Sequence, residues 1–291
     1  MNLAYDFTFA EHAICFIETG DSYHLEKIAE LDAADHIFDH ASRFNHDVPT
    51  SSKLNLVNHL LTPVGQYKKT MPQITRNLEF AKAHIASTGI AEEIALQFLP
   101  KDSTFSGTMF FTLGYDIGVA YGENCSLNVA HPIFIKNMSE MKYYAIHELH
   151  HIGFTTLKGG YMPTLEISTR REMAHVIEYL THMEGMGTYA PLATREQESA
   201  MNTDHDYIVL QDSKMMDDLV KEYLEIYRHF KNNPDERLVE EDWHKIGILS
   251  DIKRLWYVVG AHMAKTIDHR LGRERLVGLI AEPSENFIAA Y

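Results

Sequence analysis

The chain has 291 residues and a formal net charge of −15, with 45% hydrophobic, 11% aromatic and 23% charged residues. That apolar content excludes a mainly disordered chain and is enough for a large core, in one domain or in two closely joined ones. So acidic a surface repels phosphate backbones and anionic lipid, so neither nucleic acid nor a membrane is expected as a partner.

The opening stretch carries Asp6, Glu11, His12 and Glu18 in place of a basic segment followed by a continuous apolar run, and no segment reaches the length of a membrane span. A cytoplasmic location is the simplest expectation, unless a leader has been trimmed away. Cys15 and Cys125 are far apart and fit no metal or redox spacing, so both are expected to be buried thiols.

Leu25, Ile28, Leu31, Ala34, Ile37 and Phe38 recur at helical spacing and predict an amphipathic helix over 21–45. Further helices are expected over 54–61, stopped by Pro63, and over 73–87 and 91–99, before Pro100. This first third therefore reads as a helical layer. Its histidines, His24, His36, His40, His46 and His59, show no ligand spacing that recurs with an acidic partner. His36 and His40 are four apart, but a surface or core role is expected for them. Arg170-Arg171 and the run from Arg270 to Arg275, the short basic clusters, read as ordinary helix surface.

The pattern changes after Thr108. Met109 to Leu113, Gly118 to Gly122 and Cys125 to Val129 are short β-rich runs separated by Gly, Asp and Asn, and predict a small antiparallel sheet. An extended peptide could pair with an exposed edge of that sheet, either 118–122 or 125–129. A purely structural hairpin is the alternative.

The sheet leads into Ala145-Ile146-His147-Glu148-Leu149-His150-His151-Ile152, which contains H-E-x-x-H. Asn137 or Ser139 can cap a helix there, Glu140 suits its first turn, and no Pro or Gly interrupts 140–152. On a helix the imidazoles of His147 and His151 share one face and can converge on one Zn²⁺. Residue 148 is turned by about 100° and raised by about 1.5 Å, which leaves its carboxylate beside a metal rather than on it, where a general base belongs. Tyr144, Ala145, Glu148, Leu149 and Ile152 form a mainly apolar stripe that turns Glu148 inward. The bland alternative is a buried glutamate held by neighbouring histidines, in a chain that has 18 His.

After a break at Lys158-Gly159-Gly160-Tyr161-Met162-Pro163, a helix is expected over 167–183, ending in Glu184-Gly185-Met186-Gly187-Thr188-Tyr189. A catalytic zinc needs a third protein ligand and an open fourth position. The extended H-E-x-x-H-x-x-G-x-x-H pattern is absent, because Phe154 and Leu157 stand at its Gly and last His. Glu172, Glu178, Glu184, His175 and His182 are all on offer, and spacing alone does not choose among them.

H-E-L-H-H followed after a helix by E-G-M-G-T-Y resembles the gluzincin clan of H-E-x-x-H zinc metallopeptidases, and is most similar to bacterial proteins described as zinc-dependent peptidases. The resemblance implies Glu184 as third ligand, with Glu178 as the fallback, and assigns to Gly185 and Gly187 close helix packing. The distance from the second His to this Glu is longer than in the thermolysin-like and aminopeptidase groups. Downstream, amphipathic helix is expected over 217–230, a loop over 231–236 with Pro234, and a long helix over 241–271 stopped by Gly272. Within it, Trp256 to Met263 resembles the Y-x-x-G-a segment of aminopeptidase-type gluzincins, which implies Tyr257 as the donor to the oxyanion, with His262 as an alternative. Without that resemblance Trp256 and Tyr257 read as core aromatics.

The resulting expectation is a mainly α, α+β chain with a zincin-like core over 106–190, flanked by helical regions over 1–105 and 191–291, or all of it as one compact domain. His147, His151 and Glu184 would hold Zn²⁺ and Glu148 would act as base on a peptide or protein substrate, in an endopeptidase or an aminopeptidase. A zinc hydrolase acting on a non-peptide amide or ester, and a catalytically inactive helical binding or scaffold protein, are the competing readings. Oligomeric state is open.

Overall fold

The β-rich runs around residue 110 fold as a sheet in the computed structural model, which describes residues 2–44, 47–164 and 166–291. Its strands are β1 (Asn2–Asp6), β2 (Ser106–Thr112), β3 (Gly118–Tyr121) and β4 (Asn124–Asn128), in the order β1-β2-β4-β3. β1 runs parallel to β2 and β2 parallel to β4, and only β3 and β4 are antiparallel. The sheet is mixed, which corrects the expected antiparallel one. The β3–β4 hairpin folds back so that β4, not β3, lies beside β2, and β4 then shares β2's direction. Asn128 holds this return in place: its Nδ2 donates to Tyr115 O at 2.8 Å and its Oδ1 accepts from Gly114 N at 3.1 Å.

β1 also corrects the reading of the first third as purely helical. The helix expected over 21–45 is two helices, Tyr23–Ala29 and Asp32–Phe44. Between them Glu30 and Leu31 bond three residues back, to Lys27 O and Ile28 O, which tightens and ends the first helix. Asn45 and His46 lie outside the described residues. Next come Lys53–Leu61, capped by Ser52 through Asn55 N, and Val64–Phe80, which carries Pro72 and passes into a wider π turn over Ala81–Ala86.

The chain divides into two compact units, Met1–Glu93 with Thr104–Ile152, and Ile94–Ser103 with Gly153–Tyr291. The first holds the whole sheet, whose Met109, Phe111, Cys125 and Leu127 are fully buried. Phe9, Ala13 and Ile17, four apart on the helix Thr8–Thr19, are buried in it as well.

The second unit is helical. Arg170–Tyr189 starts at a capping box in which Thr169 and Glu172 satisfy each other's backbone N–H groups. It crosses Leu255–Leu271 where Gly185 meets Gly260: a Cβ on Gly260 would lie 2.5 Å from Thr181 O and 2.6 Å from Gly185 Cα. The close packing implied for Gly185 is therefore present. Tyr189 Oη donates to Asp268 Oδ2 at 2.7 Å, so the two helices run in the same sense.

The long helix expected over 241–271 is broken into Glu240–Gly247, a π turn Ile248–Ile252 and Leu255–Leu271. Arg254, at φ 50°, is the turning point. Gly272 ends Leu255–Leu271 as expected, at φ 87°. Two surface expectations also fail. Arg170 is buried, its Nε 3.1 Å from Oδ2 of the fully buried Asp242, and Cys15 is exposed while Cys125 is buried. No helix among the described residues is long and apolar enough to cross a membrane.

Candidate metal centre

The motif helix, Glu140–Leu157, runs one turn beyond its predicted end. Ala145, Ile146, Leu149 and Ile152 are buried along it, and Glu148 on the same side is 5% exposed. Helical spacing brings the rings of His147 and His151 to 4.3 Å between centroids, nearly perpendicular.

Glu184 lies in the final turns of Arg170–Tyr189, a helix that continues through E-G-M-G-T-Y instead of ending before it. Among the described residues, His147, His151 and Glu184 form a group that could hold a metal ion: one ligand atom from each lies within 4.8 Å of the other two. Two imidazole nitrogens and a carboxylate oxygen are a donor set that suits Zn²⁺, and three protein donors leave room for a fourth position.

Of the other candidates for third ligand, three are engaged elsewhere and His175 faces solvent. Glu178 is buried, and its Oε1 accepts from Tyr227 Oη at 2.6 Å and from Lys231 Nζ at 2.8 Å. Glu172 closes the capping box, and the hydrogen bonds it receives from Ser168 and Thr169 hold its carboxyl below the usual carboxylate range. His182 is stacked on Phe287 at 4.4 Å, with its Nδ1 3.4 Å from Ser284 Oγ, and His175 is exposed. None of the four belongs to the group.

Glu148 has its own setting. A Cβ placed on Gly118, the first residue of β3, would lie 2.7 Å from Glu148 Oε1 and 3.0 Å from its Cγ, so the approach depends on the missing side chain. The Cys125 thiol on β4 is pushed well up, by burial first and then by the charge of Glu148.

β3 pairs only with β4, so of the two candidate stretches 118–122, not 125–129, lies at an edge of the sheet, the other edge among the described residues being β1. Asn128 N donates to Ile117 O at 3.1 Å, and with the observed register the ladder bonds then fall on Ile117, Val119 and Tyr121. The backbone groups of Gly118 and Ala120 point away from β4.

Tyr257 and His262 both lie on Leu255–Leu271. The Arg254 guanidinium carbon sits 3.8 Å from the centroid of the Tyr257 ring. Burial holds the His262 imidazole below its ordinary value, and its ring meets Tyr291 edge-on at 5.8 Å. Sequence reasoning named Gly118 only as the start of a candidate edge strand and missed its approach to Glu148, and it missed the stacking of Arg254 on Tyr257. A glycine opening a strand is a weak signal, and Arg254 carries none, since only its backbone angle and its stacking single it out.

These features define a mainly helical α+β protein with a candidate metal site of the H-E-x-x-H type. Residues 36–291 match the family described as "Putative zinc dependent peptidase (DUF5700)", and the chain belongs to that family. No curated protein and no solved structure matches it.

Proposed function

We propose that this chain is a zinc-dependent metallopeptidase of gluzincin type, with a zincin-like catalytic core over 106–190, in which His147, His151 and Glu184 hold the metal. The observation that carries the reading is the convergence of these three donors from two helices. When bound, zinc supplies a Lewis acid that lowers the pKa of water toward about 7 and polarises the scissile carbonyl.

Glu148 takes the proton from the attacking water and passes it to the leaving amine. Its buried position limits competing solvent, and Gly118 leaves the carboxylate room beside the edge strand. An extended peptide pairs with β3 through the outward backbone groups of Gly118 and Ala120, which sets the scissile bond next to Glu148. Tyr257 donates from its phenol to the oxyanion that develops on the carbonyl, as a neutral donor at pH 7.

The test uses untagged protein, because 18 His bind nickel and zinc adventitiously. Metal analysis is expected to give one zinc per chain, and an anomalous map at the zinc edge should place it on residues 147, 151 and 184. A peptide library set against ester and small-amide panels is expected to show turnover of peptides. Turnover of esters alone would move the reading to a non-peptide hydrolase, and zinc without any turnover to a binding protein.

A further inference from the structure

Arg254 combines three features. It occupies the left-handed region, φ 50° and ψ 41°, at the N-cap of Leu255–Leu271, a conformation that L-residues other than Asn and Asp adopt at a cost. Its Nε lies 3.0 Å from both Oδ1 and Oδ2 of Asp206, a carboxylate that is 5% exposed. Its guanidinium carbon lies 3.8 Å from the centroid of the Tyr257 ring, one helical turn on.

Asp206 holds the head group, and the held head group covers the ring of Tyr257 three residues on. Arg254 is also the main cation facing the buried Asp206: desolvation raises that carboxyl, the Arg254 charge opposes the rise, and neighbouring Asp204 adds to it. Asp204 caps the helix His205–Leu210 and lies 3.9 Å from the buried Arg195, and His205 lies 3.9 Å from Asp206. Of these charges, the Arg254 guanidinium is the one on the ring of Tyr257.

We propose that Arg254 is a positioning residue: clamped by Asp206, its cation lies on the face of Tyr257, holds the ring in place and makes the phenol a stronger hydrogen-bond donor. This rests on the reading of Tyr257 as the oxyanion donor. A positive charge over an aromatic face stabilises the ring more as it gains electron density, and a phenol gains density as it gives its proton away. The effect strengthens as charge develops on the substrate oxygen, so it acts on the transition state more than on the bound substrate.

The test titrates Tyr257 directly and separately from turnover. Zinc-loaded protein is labelled with 3-fluorotyrosine, the Tyr257 fluorine signal is assigned by its loss in Tyr257→Phe, and its pKa is followed by NMR in the native chain, Arg254→Lys and Arg254→Gln. The expected result is a rise in the Tyr257 pKa of about half a unit to one and a half units in Arg254→Gln, the span that one cation over a ring supplies, and a smaller rise in Arg254→Lys. In peptide turnover, Arg254→Gln is expected to lower kcat about tenfold, to leave KM within about twofold, and to move the alkaline limb of the pH profile upward with the NMR pKa. An unchanged Tyr257 pKa in a folded Arg254→Gln protein overturns the proposal, even if activity falls. Full activity in Tyr257→Phe overturns the reading of Tyr257 and the role of Arg254 with it, whereas loss in Tyr257→Phe with no shift in Arg254→Gln overturns the role of Arg254 alone. If Arg254→Gln fails to fold, the Tyr257 pKa in Arg254→Lys decides by the same criterion.

Discussion

Two histidine pairs with the same spacing, His36/His40 and His147/His151, have opposite fates in this molecule. Both stand four apart on a helix. Both helices also reach β3: His36 hydrogen-bonds the backbone of Val119, and Glu148 lies against Gly118. His36 packs on Phe110 and His40 bonds Tyr115 Oη at 2.9 Å, so their rings are spent on the fold. Burial pushes both down to about 4, aided at His36 by the neighbouring His40. His147 and His151 instead belong, with Glu184 of another helix, to a group that could hold a metal ion. Spacing therefore makes a pair of imidazoles available, and the groups around them decide whether they are open to a metal or fill a core.

The strongest way to break this contrast is to remove what the first pair lacks. Glu148→Gln is expected to keep zinc by metal analysis while peptide turnover falls by about 10²- to 10⁴-fold, the range for a general base. Unchanged turnover would rule out Glu148 as that base. Glu184→Ala is expected to weaken zinc binding by about a hundredfold or more, seen by competition with a chelator, since two imidazoles alone then remain. Stoichiometric zinc at unchanged affinity would return the assignment to Glu178 or a histidine.

A milder change tests the strand beneath the site. Gly118→Ala would place a methyl 2.7 Å from Glu148 Oε1, and kcat should fall about ten- to a hundredfold with zinc content unchanged, because the proposed base is displaced and the proposed ligands are not. Equal kcat in the two proteins would show that the carboxylate can shift without consequence.

The smallest effect is expected at the other pair. The unfolded chain takes up protons on His36 and His40 near pH 6.5, whereas the folded chain does so only near 4. The stability these neutral rings confer is thus complete above pH 6.5 and is lost as the pH falls toward 4, by about 3 kcal/mol for each ring at most. Denaturant unfolding across that window should show the loss, and His40→Gln should reduce it while leaving zinc stoichiometry unchanged. A fall in zinc content in that variant would erase the distinction between the pairs.

Much of this is legible in the sequence where the physics is local. The motif helix follows from uninterrupted helical spacing, the strands β2 and β3 from β-branched and aromatic residues between turn formers, and β4 from a short run between such turn formers. Gly272 stops its helix because glycine enters positive φ freely. Resemblance, not spacing, singles out Glu184 among five possible ligands. β1 escapes a sequence reading because its partner is about a hundred residues away and five residues carry too little pattern to reveal the pairing. The break at Arg254 escapes it because neither Gly nor Pro marks the position, and the backbone that local preference disfavours is accompanied by a tertiary contact with Asp206.

What the amino-acid order determined by itself is a helix bearing two imidazoles and a carboxylate at fixed angular offsets, since 3.6 residues per turn leave no freedom there. Only the tertiary structure decided that Glu184, the carboxylate the resemblance implies, lies with those imidazoles, which of the two candidate strands lies at an edge of the sheet, and which contacts His36 and His40 make. Those outcomes depend on contacts between segments far apart in the chain, and no local periodicity encodes them.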